Sequence, residues 1–267
     1  MQRLGLIAGN GRFPLIFAQA AKSKDVELVA VAIRGETSPK LANYVDKIRW
    51  IRLGEFSQII TTFLNEGINQ VIMAGQIKPR HLFDKRIKWD DQIRNLLKDI
   101  ENRRADTIFG SIAQRLKKEG IQLLDSTMYL DDFLAKKGVL TTRQPAFKEW
   151  DDIYFGMEIA KIMGALGIGQ TVAVKNKAVL AVEALEGTDA TIRRAGIIGR
   201  GDIIVVKASK PKQDMRFDIP VIGPRTVKNL IKAKASCIAI EAGKTLIIDK
   251  DVCLSFANKK NICIVAI

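Results

Sequence analysis

An α/β fold is predicted, with a Rossmann-like N-terminal domain followed by a distinct mixed α/β C-terminal domain, and three observations predict it. Short apolar runs alternate with helical periodicities through the first half of the chain. The first of those runs closes on a glycine-rich turn that opens a helix. The pattern then fades near residue 135 before a second, differently ordered series begins. The 267 residues allow one large domain or two ordinary ones. At 47% hydrophobic residues the chain can bury a core, which argues against disorder.

In order, Leu4 to Ala8, Leu28 to Ile33, Ile48 to Leu53 and Val71 to Ala74 read as strands, each short and flanked by glycine or charge. Phe13 to Ala21 and Phe56 to Leu64 carry helical spacing between them. Strand and helix in alternation argue for a parallel sheet with right-handed crossovers. The polar stretch Asp90 to Gly120 fits two helices, the second capped by Asp106. Ile121 to Leu124 adds a strand and Thr127 to Leu134 a short helical piece, which closes an N-terminal domain at residues 1–134. Residues 135–150, with Lys136, Lys137, Gly138 and Pro145, read as a linker to a domain at 151–267. There Ile153 to Leu166, Ala190 to Ala195 and Thr226 to Ala233 are expected helices. Thr171 to Val174, Val179 to Val182, Ile203 to Val206, Cys237 to Ile240, Leu246 to Ile248 and Ile262 to Ile267 are expected strands.

Composition removes several function classes. Cys237, Cys253 and Cys263 have no metal-type spacing and form no disulfide framework, so the cytoplasm is the natural compartment. His81 is the one histidine, which leaves little room for histidine metal sites or a Ser-His-Asp machine. Carboxylates, Lys, Arg and backbone amides must then carry any chemistry. No run approaches the ~20 apolar residues of a bilayer crossing, and the N-terminal run is too short for a secretory signal. A net charge of +14 calls for an anionic partner: nucleic acid, a membrane surface or a phosphorylated substrate. With 6% aromatic residues and no RNP, KH or zinc-finger pattern, nucleic acid is not expected as that partner.

Gly9, Asn10 and Gly11, followed by Phe13-Pro14, close the first strand and open a helix. Glycines let backbone amides approach a phosphate, and the helix N-terminus favours an anion, so these residues are candidate substrate ligands. The dinucleotide fingerprint wants a third glycine where Phe13-Pro14 stands, and Glu36 is its one candidate acidic residue. A turn that merely tolerates glycine is the alternative. Ala74, Gly75, Gln76 and Lys78 leave the fourth strand in the same way, and in an open sheet both loops face the carboxyl-end crevice. A solvated loop is equally compatible, and His81 reads as structural. In the second half, Glu183 to Asp189 follows a strand and precedes a helix, and Lys207 to Pro220 follows another strand. Between Lys207 and Lys234 there are eight basic residues and two acidic ones, Asp214 and Asp218. Lone carboxylates in such a field stay ionised, and cations with a carboxylate suit phosphate chemistry. A solvated charged loop is the alternative, and Glu241 is a weaker acidic candidate.

Taken together, Ala8 to Pro14, Ala74-Gly75, Glu186 to Asp189, Gln213 to Pro220 with Gly223 and Thr226, and Glu241-Ala242-Gly243 resemble the LpxI family of UDP-2,3-diacylglucosamine pyrophosphatases. The likeness runs in order over nearly the whole chain. It implies a Rossmann-like domain and a C-terminal α/β domain enclosing an active site between them. It further implies magnesium-dependent hydrolysis of UDP-2,3-diacylglucosamine to UMP and 2,3-diacylglucosamine 1-phosphate (lipid X), a step of lipid A and hence lipopolysaccharide synthesis at the cytoplasmic face of the inner membrane. Carried over by residue, Asp218 is the first candidate for the essential carboxylate, then Asp214, then Asp189, and these three are the expected Mg2+ ligands. Lys207, Lys210 and Arg216 would offset charge on the diphosphate, with Lys207 and Arg216 counted as catalytic. Gly9, Asn10, Gly11, Ala74, Gly75, Gln76, Gly187, Thr188 and Lys210 would bind substrate. Peripheral contact with the membrane follows from an acylated substrate, and a homodimer is left open. A nicotinamide-dependent oxidoreductase and a basic nucleic-acid-binding module are the competing classes.

Overall fold

The computed structural model describes residues 2–78, 81 and 83–267. Two compact units divide the chain: Met1–Asp131 with Asp214–Asp218, and Asp132–Gln213 with Ile219–Ile267.

The first unit is built on β1 (Arg3–Ala8), β2 (Glu27–Ile33), β3 (Lys47–Ile51), β4 (Gln70–Ala74) and β5 (Gln122–Leu123). They form one parallel sheet in the order β3-β2-β1-β4-β5, so the winding reverses between β1 and β4. Helices α1 (Phe13–Lys22), α2 (Phe56–Asn65), α3 (Asp91–Asp99) and α4 (Ala105–Lys118) connect the strands. Nearly unbroken burial along β1 and β2 is what a sheet covered on both faces requires. Ile7, Val29, Val31 and Ile33 share a core with Ile59, Ile60 and Phe63 of α2 and with Leu116 of α4. Each such side chain contributes on the order of 1.5–3 kcal/mol when fully buried. Asp90 caps α3 by accepting from the Ile93 N–H at 3.0 Å. The cap expected of Asp106 is not made. Arg104 stands at that position and Asp106 falls in the first turn, where its charge favours the helix dipole instead.

The second unit carries β6 (Gly138–Val139), β7 (Thr171–Lys175), β8 (Ala178–Val182), β9 (Ile203–Lys207), β11 (Ala235–Ile240) and β13 (Cys263–Ala266) in one mixed sheet, ordered β6-β13-β11-β9-β7-β8. A separate parallel pair joins β10 (Val221–Ile222) to β12 (Leu246–Ile247). Strands β9, β11 and β13 run parallel, while β6, β7 and β8 pair antiparallel. Side chains alternate across this sheet. Ile204, Val206, Cys237, Ala239 and Val265 meet α5 (Phe147–Leu166) on one face. Ile203, Val205, Ile238, Ile240 and Ile264 meet α6 (Thr188–Gly199), α7 (Pro224–Lys232) and α8 (Lys250–Lys259) on the other.

Residues 135–150, expected to form a linker, are woven into this unit. Strand β6 pairs with β13, the Ala135 N–H donates to the Thr245 carbonyl at 2.9 Å, and the Ile264 N–H donates to Thr141 Oγ1 at 2.9 Å. A two-residue edge strand preceded by two lysines leaves no periodicity to read, and their charge is what edge strands use against further pairing. Helix α5 also starts earlier than its apolar spacing suggests, because Glu149 accepts from the Ala146 N–H at 2.7 Å and caps it. Helix α8 was not anticipated, since Cys253 and Ala257 are its only buried residues. Among the described residues no helix is long and apolar enough to cross a membrane.

Candidate functional site

In the first unit, the loops that leave β1 and β4 at the switch point are fastened to each other. The Gly9 N–H donates to the Ala74 carbonyl at 2.8 Å and the Asn10 N–H to the Gln76 carbonyl at 2.8 Å. This contact explains two glycines. A Cβ at Gly9 would stand 2.6 Å from the Gln76 carbonyl oxygen, and one at Gly75, where φ is +87°, would stand 2.5 Å from the Asn10 oxygen. Gly11 differs, because at φ +88° its Cβ position has no neighbour within 4 Å. Of the three, Gly11 alone leaves room for a ligand directly over its backbone.

Glu36 closes the same edge. Its carboxylate is 4% exposed and accepts from Asn10 Nδ2 at 2.6 Å and Lys78 Nζ at 3.0 Å, with His81 Nε2 2.9 Å away. Burial pushes this carboxyl up, but the hydrogen bonds from Asn10, His81 and Lys78 outweigh burial and hold it below its ordinary value. The acidic residue that the dinucleotide fingerprint would call on is thus occupied by three side chains of its own unit. Pro79 of the same loop lies outside the described residues.

The segment 214–218 belongs to this first unit and is pinned near the end of β4. The Ser126 N–H donates to the Met215 carbonyl at 2.9 Å. Its hydroxyl lies 2.5 Å from the Arg216 carbonyl and 2.6 Å from that of Met73, donating to one at a time. Phe217 stacks on Phe109 with ring centroids 5.6 Å apart. Asp214 opens the turn, its carbonyl accepting from the Asp218 N–H at 3.3 Å. Both Asp214 carboxyl oxygens meet the Arg216 guanidinium, at 2.9 and 2.7 Å, and that contact holds the carboxyl below the ordinary range. Arg216 therefore stands in a fork-shaped ion pair, the geometry that also suits phosphate.

In the second unit the polar residues gather where β9 and β11 end and β7 begins. Lys207, whose side chain is 9% exposed, donates to Thr188 Oγ1 at 2.8 Å and lies 4.0 Å from Glu183 Oε2. Thr188, the first residue of α6 after Gly187, donates to Glu183 Oε1 at 2.9 Å. Burial would raise the Glu183 carboxyl, yet Lys207 and the hydrogen bonds of Thr171 and Thr188 keep it lowered. Asp189 is ion-paired with Arg225, and the Lys210 N–H donates to Gln213 Oε1 at 2.8 Å.

On the α5 face, Glu241 Oε2 lies 2.5 Å from Lys161 Nζ and accepts from the Ser209 N–H at 2.9 Å, while Oε1 accepts from Lys244 at 2.7 Å. Against the upward push of burial, these donors lower the Glu241 carboxyl to about 2. Lys207 and Thr188, both anticipated, do meet. Glu183 and Ser209 were anticipated only as members of the two charged runs, Lys161 and Ser126 were not anticipated as site residues, and Glu241 only weakly. A carboxylate straight after an apolar strand was the available sign of Glu183.

Among the described residues, no three His, Cys, Asp or Glu side chains gather to hold a metal ion. Asp214 and Asp189 are each engaged by an arginine, while Asp214 and Asp218 share one turn. The pair on that turn, Asp214 and Asp218, offers hard carboxylate oxygens that fit magnesium completed by substrate phosphates, the ion's usual arrangement, and do not fit an all-protein cage.

Two family models cover the chain: the LpxI N-terminal domain matches residues 3–133 and the LpxI C-terminal domain residues 136–265. The UDP-2,3-diacylglucosamine pyrophosphatase LpxI of Caulobacter vibrioides is 30% identical over 268 residues, spanning 97% of this chain and 95% of the relative. Among solved structures, the biotin carboxylase domain of a thermophilic 2-oxoglutarate carboxylase is 11% identical, with a TM-score of 0.30 over 65% of this chain and 35% of that one. Phosphoribosylglycinamide synthetase from Anaerococcus prevotii is also 11% identical, with a TM-score of 0.28 over 67% of this chain and 38% of its own. The chain thus spans little more than a third of those structures, at a likeness too slight to bear on its site. With both halves matched by its models and a full-length relative beside it, the chain belongs to the LpxI family.

Proposed function

We propose that this chain hydrolyses the pyrophosphate bond of UDP-2,3-diacylglucosamine, releasing UMP and 2,3-diacylglucosamine 1-phosphate in lipid A biosynthesis. The observation that supports the reading is end-to-end similarity, 97% of this chain against 95% of a relative named for that activity. Water attacks the α-phosphorus, the bond from that phosphorus to the bridging oxygen breaks, and the acylated sugar 1-phosphate leaves. Asp218 aligns the water and takes up its proton. Lys207, Lys210 and Arg216 offset charge on the diphosphate oxygens, the usual demand of transfer at phosphorus. Gly11 offers its backbone to the nucleotide sugar, with Gly187 and Thr188 the corresponding contacts in the second unit. Magnesium, when bound, polarises the phosphoryl oxygens. Asp218, Asp214 and Asp189 are the residues that would hold it, the latter two in exchange for Arg216 and Arg225.

The acyl chains of the substrate keep it at a bilayer, so the protein works in peripheral contact with the cytoplasmic face of the inner membrane. Its charge of +14 favours an anionic lipid surface. The test is UMP release from UDP-2,3-diacylglucosamine by purified protein with magnesium, with and without EDTA, beside Asp218→Ala. Turnover is expected to stop with EDTA and to fall at least about 1,000-fold in Asp218→Ala. Absence of UMP from the unmutated protein would overturn the activity. Full turnover by Asp218→Ala would overturn the assignment of Asp218 alone.

A further inference from the structure

One ion pair of the second unit has no part in the chemistry above, and its contacts converge on a single residue. Ser209, 1% exposed, follows β9 at the root of the irregular stretch 208–213. Each of its polar groups is held by Lys161 or Glu241. The Ser209 N–H donates to Glu241 Oε2 at 2.9 Å, its hydroxyl donates to the same oxygen at 2.5 Å, and its carbonyl accepts from Lys161 Nζ at 3.2 Å. Lys161 and Glu241 bridge in turn, and Lys244 braces the free side of the carboxylate at 2.7 Å.

Helix α5, which carries Lys161, also presses on the next residue. A Cβ at Gly164 would lie 3.3 Å from the Lys210 Cα. Strand register fixes the other side, because Ile240 pairs with Lys207 and so brings Glu241 beside the end of β9.

A loop backbone ordinarily turns its polar groups to water. Here a charged pair takes them, through hydrogen bonds of the stronger, charge-assisted kind. Fold stability alone would not call for the pair, since apolar side chains of similar volume commonly serve as well. What the pair adds is a fixed exit direction for the stretch that carries Lys210 and continues into 214–218. We infer that Lys161 and Glu241 are positioning residues that clamp Ser209 and so aim the 210–213 loop, an inference that rests on the hydrolase reading for its catalytic consequence.

The experiment pairs limited trypsin digestion, read by mass spectrometry, with steady-state hydrolysis of UDP-2,3-diacylglucosamine. Lys210 precedes Pro211 and resists trypsin, so cleavage after Lys212 reports on the loop. In Glu241→Gln and Lys161→Ala that cleavage is expected to quicken at least about 10-fold relative to cleavage after Lys259 in α8, as a loop opens locally. Turnover is expected to fall on the order of 100-fold in kcat with KM changed less than about 3-fold, the signature of misplacement. Lys161→Arg should restore both. Should the single variants fail to fold, Lys161→Met/Glu241→Leu removes the pair and leaves only the half-exposed Lys244 without its partner, so that no buried charge is unpaired, and carries the same readouts.

Unchanged cleavage after Lys212 in folded variants, or an equal rise at Lys212 and Lys259, overturns the inference. A rise in KM with kcat intact overturns it too. If the unmutated protein releases no UMP, the hydrolase reading fails, and the cleavage ratio still decides the clamp.

Discussion

The two sheets end differently, though both bring polar residues to the same kind of edge. In the first unit a single carboxylate, Glu36, gathers Asn10, Lys78 and His81, and the neighbouring loops are laced by backbone hydrogen bonds. In the second unit the cations carry the arrangement: Lys207 and Lys161 lie on opposite faces of the sheet, each backed by its own glutamate. The first edge is closed by main chain, which is why Gly9 and Gly75 admit no side chain. The second is held by charge, which can be titrated or mutated without touching the backbone. Charge is the more suitable device for holding a diphosphate, and backbone lacing the more suitable one for a rigid wall.

That contrast can be broken most directly at Lys207. Lys207→Met leaves Glu183 nearly buried without its cation, and a loss of about 3–5 kcal/mol is expected in urea unfolding. A loss under about 1 kcal/mol would mean that the second edge does not depend on this pair.

Glu241 offers a second test through pH. Its carboxyl is lowered from 4.5 to about 2. Its contribution to stability is therefore complete above about pH 4.5 and lost as pH falls toward 2, about 3 kcal/mol in all. Glu241→Gln should flatten the stability profile in that window, measured by denaturant unfolding at a series of pH values, and an unchanged slope would contradict the arrangement. Glu36 has the same sign, so stability drawn from the first edge also declines as pH drops below the ordinary carboxylate range.

The smallest effect sharpens the account of the first edge. Gly75→Ala meets both an unfavourable φ and the Asn10 carbonyl, for about 2–4 kcal/mol, whereas Gly11→Ala meets only the unfavourable φ, for about 1 kcal/mol. Thermal unfolding of the two variants measures the difference. If Gly11→Ala instead leaves stability nearly intact and abolishes UMP release, the ligand role of Gly11 is strengthened.

Much of the fold is legible because buried strands announce themselves: the apolar runs at Leu4 to Ala8, Ile203 to Val206 and Cys237 to Ile240 all become strands of the two sheets. Residues whose structure is set by distant partners are not legible. Gly138 and Val139 are a strand only because β13 lies beside them, and Lys161 sits in an apolar helix where nothing local marks its glutamate 80 residues away. Lys207 and Thr188 were found through the family resemblance, and the structure brings them together where β9 ends and α6 begins. The pairings of Arg216 with Asp214 and of Arg225 with Asp189 were not found, since a run of opposite charges does not say which members pair.

Five residues from late in the chain complete the first unit, and this has a consequence for anyone who would divide the protein. A gene cut after Asp131 would encode a fragment in which Phe109 has lost its aromatic neighbour Phe217 and Ser126 its carbonyl acceptor at Arg216. The complementary fragment would carry Asp214 to Asp218 with no surroundings to shape them. Swapping halves between relatives therefore calls for three crossover points, one near 131 and one on either side of the quintet.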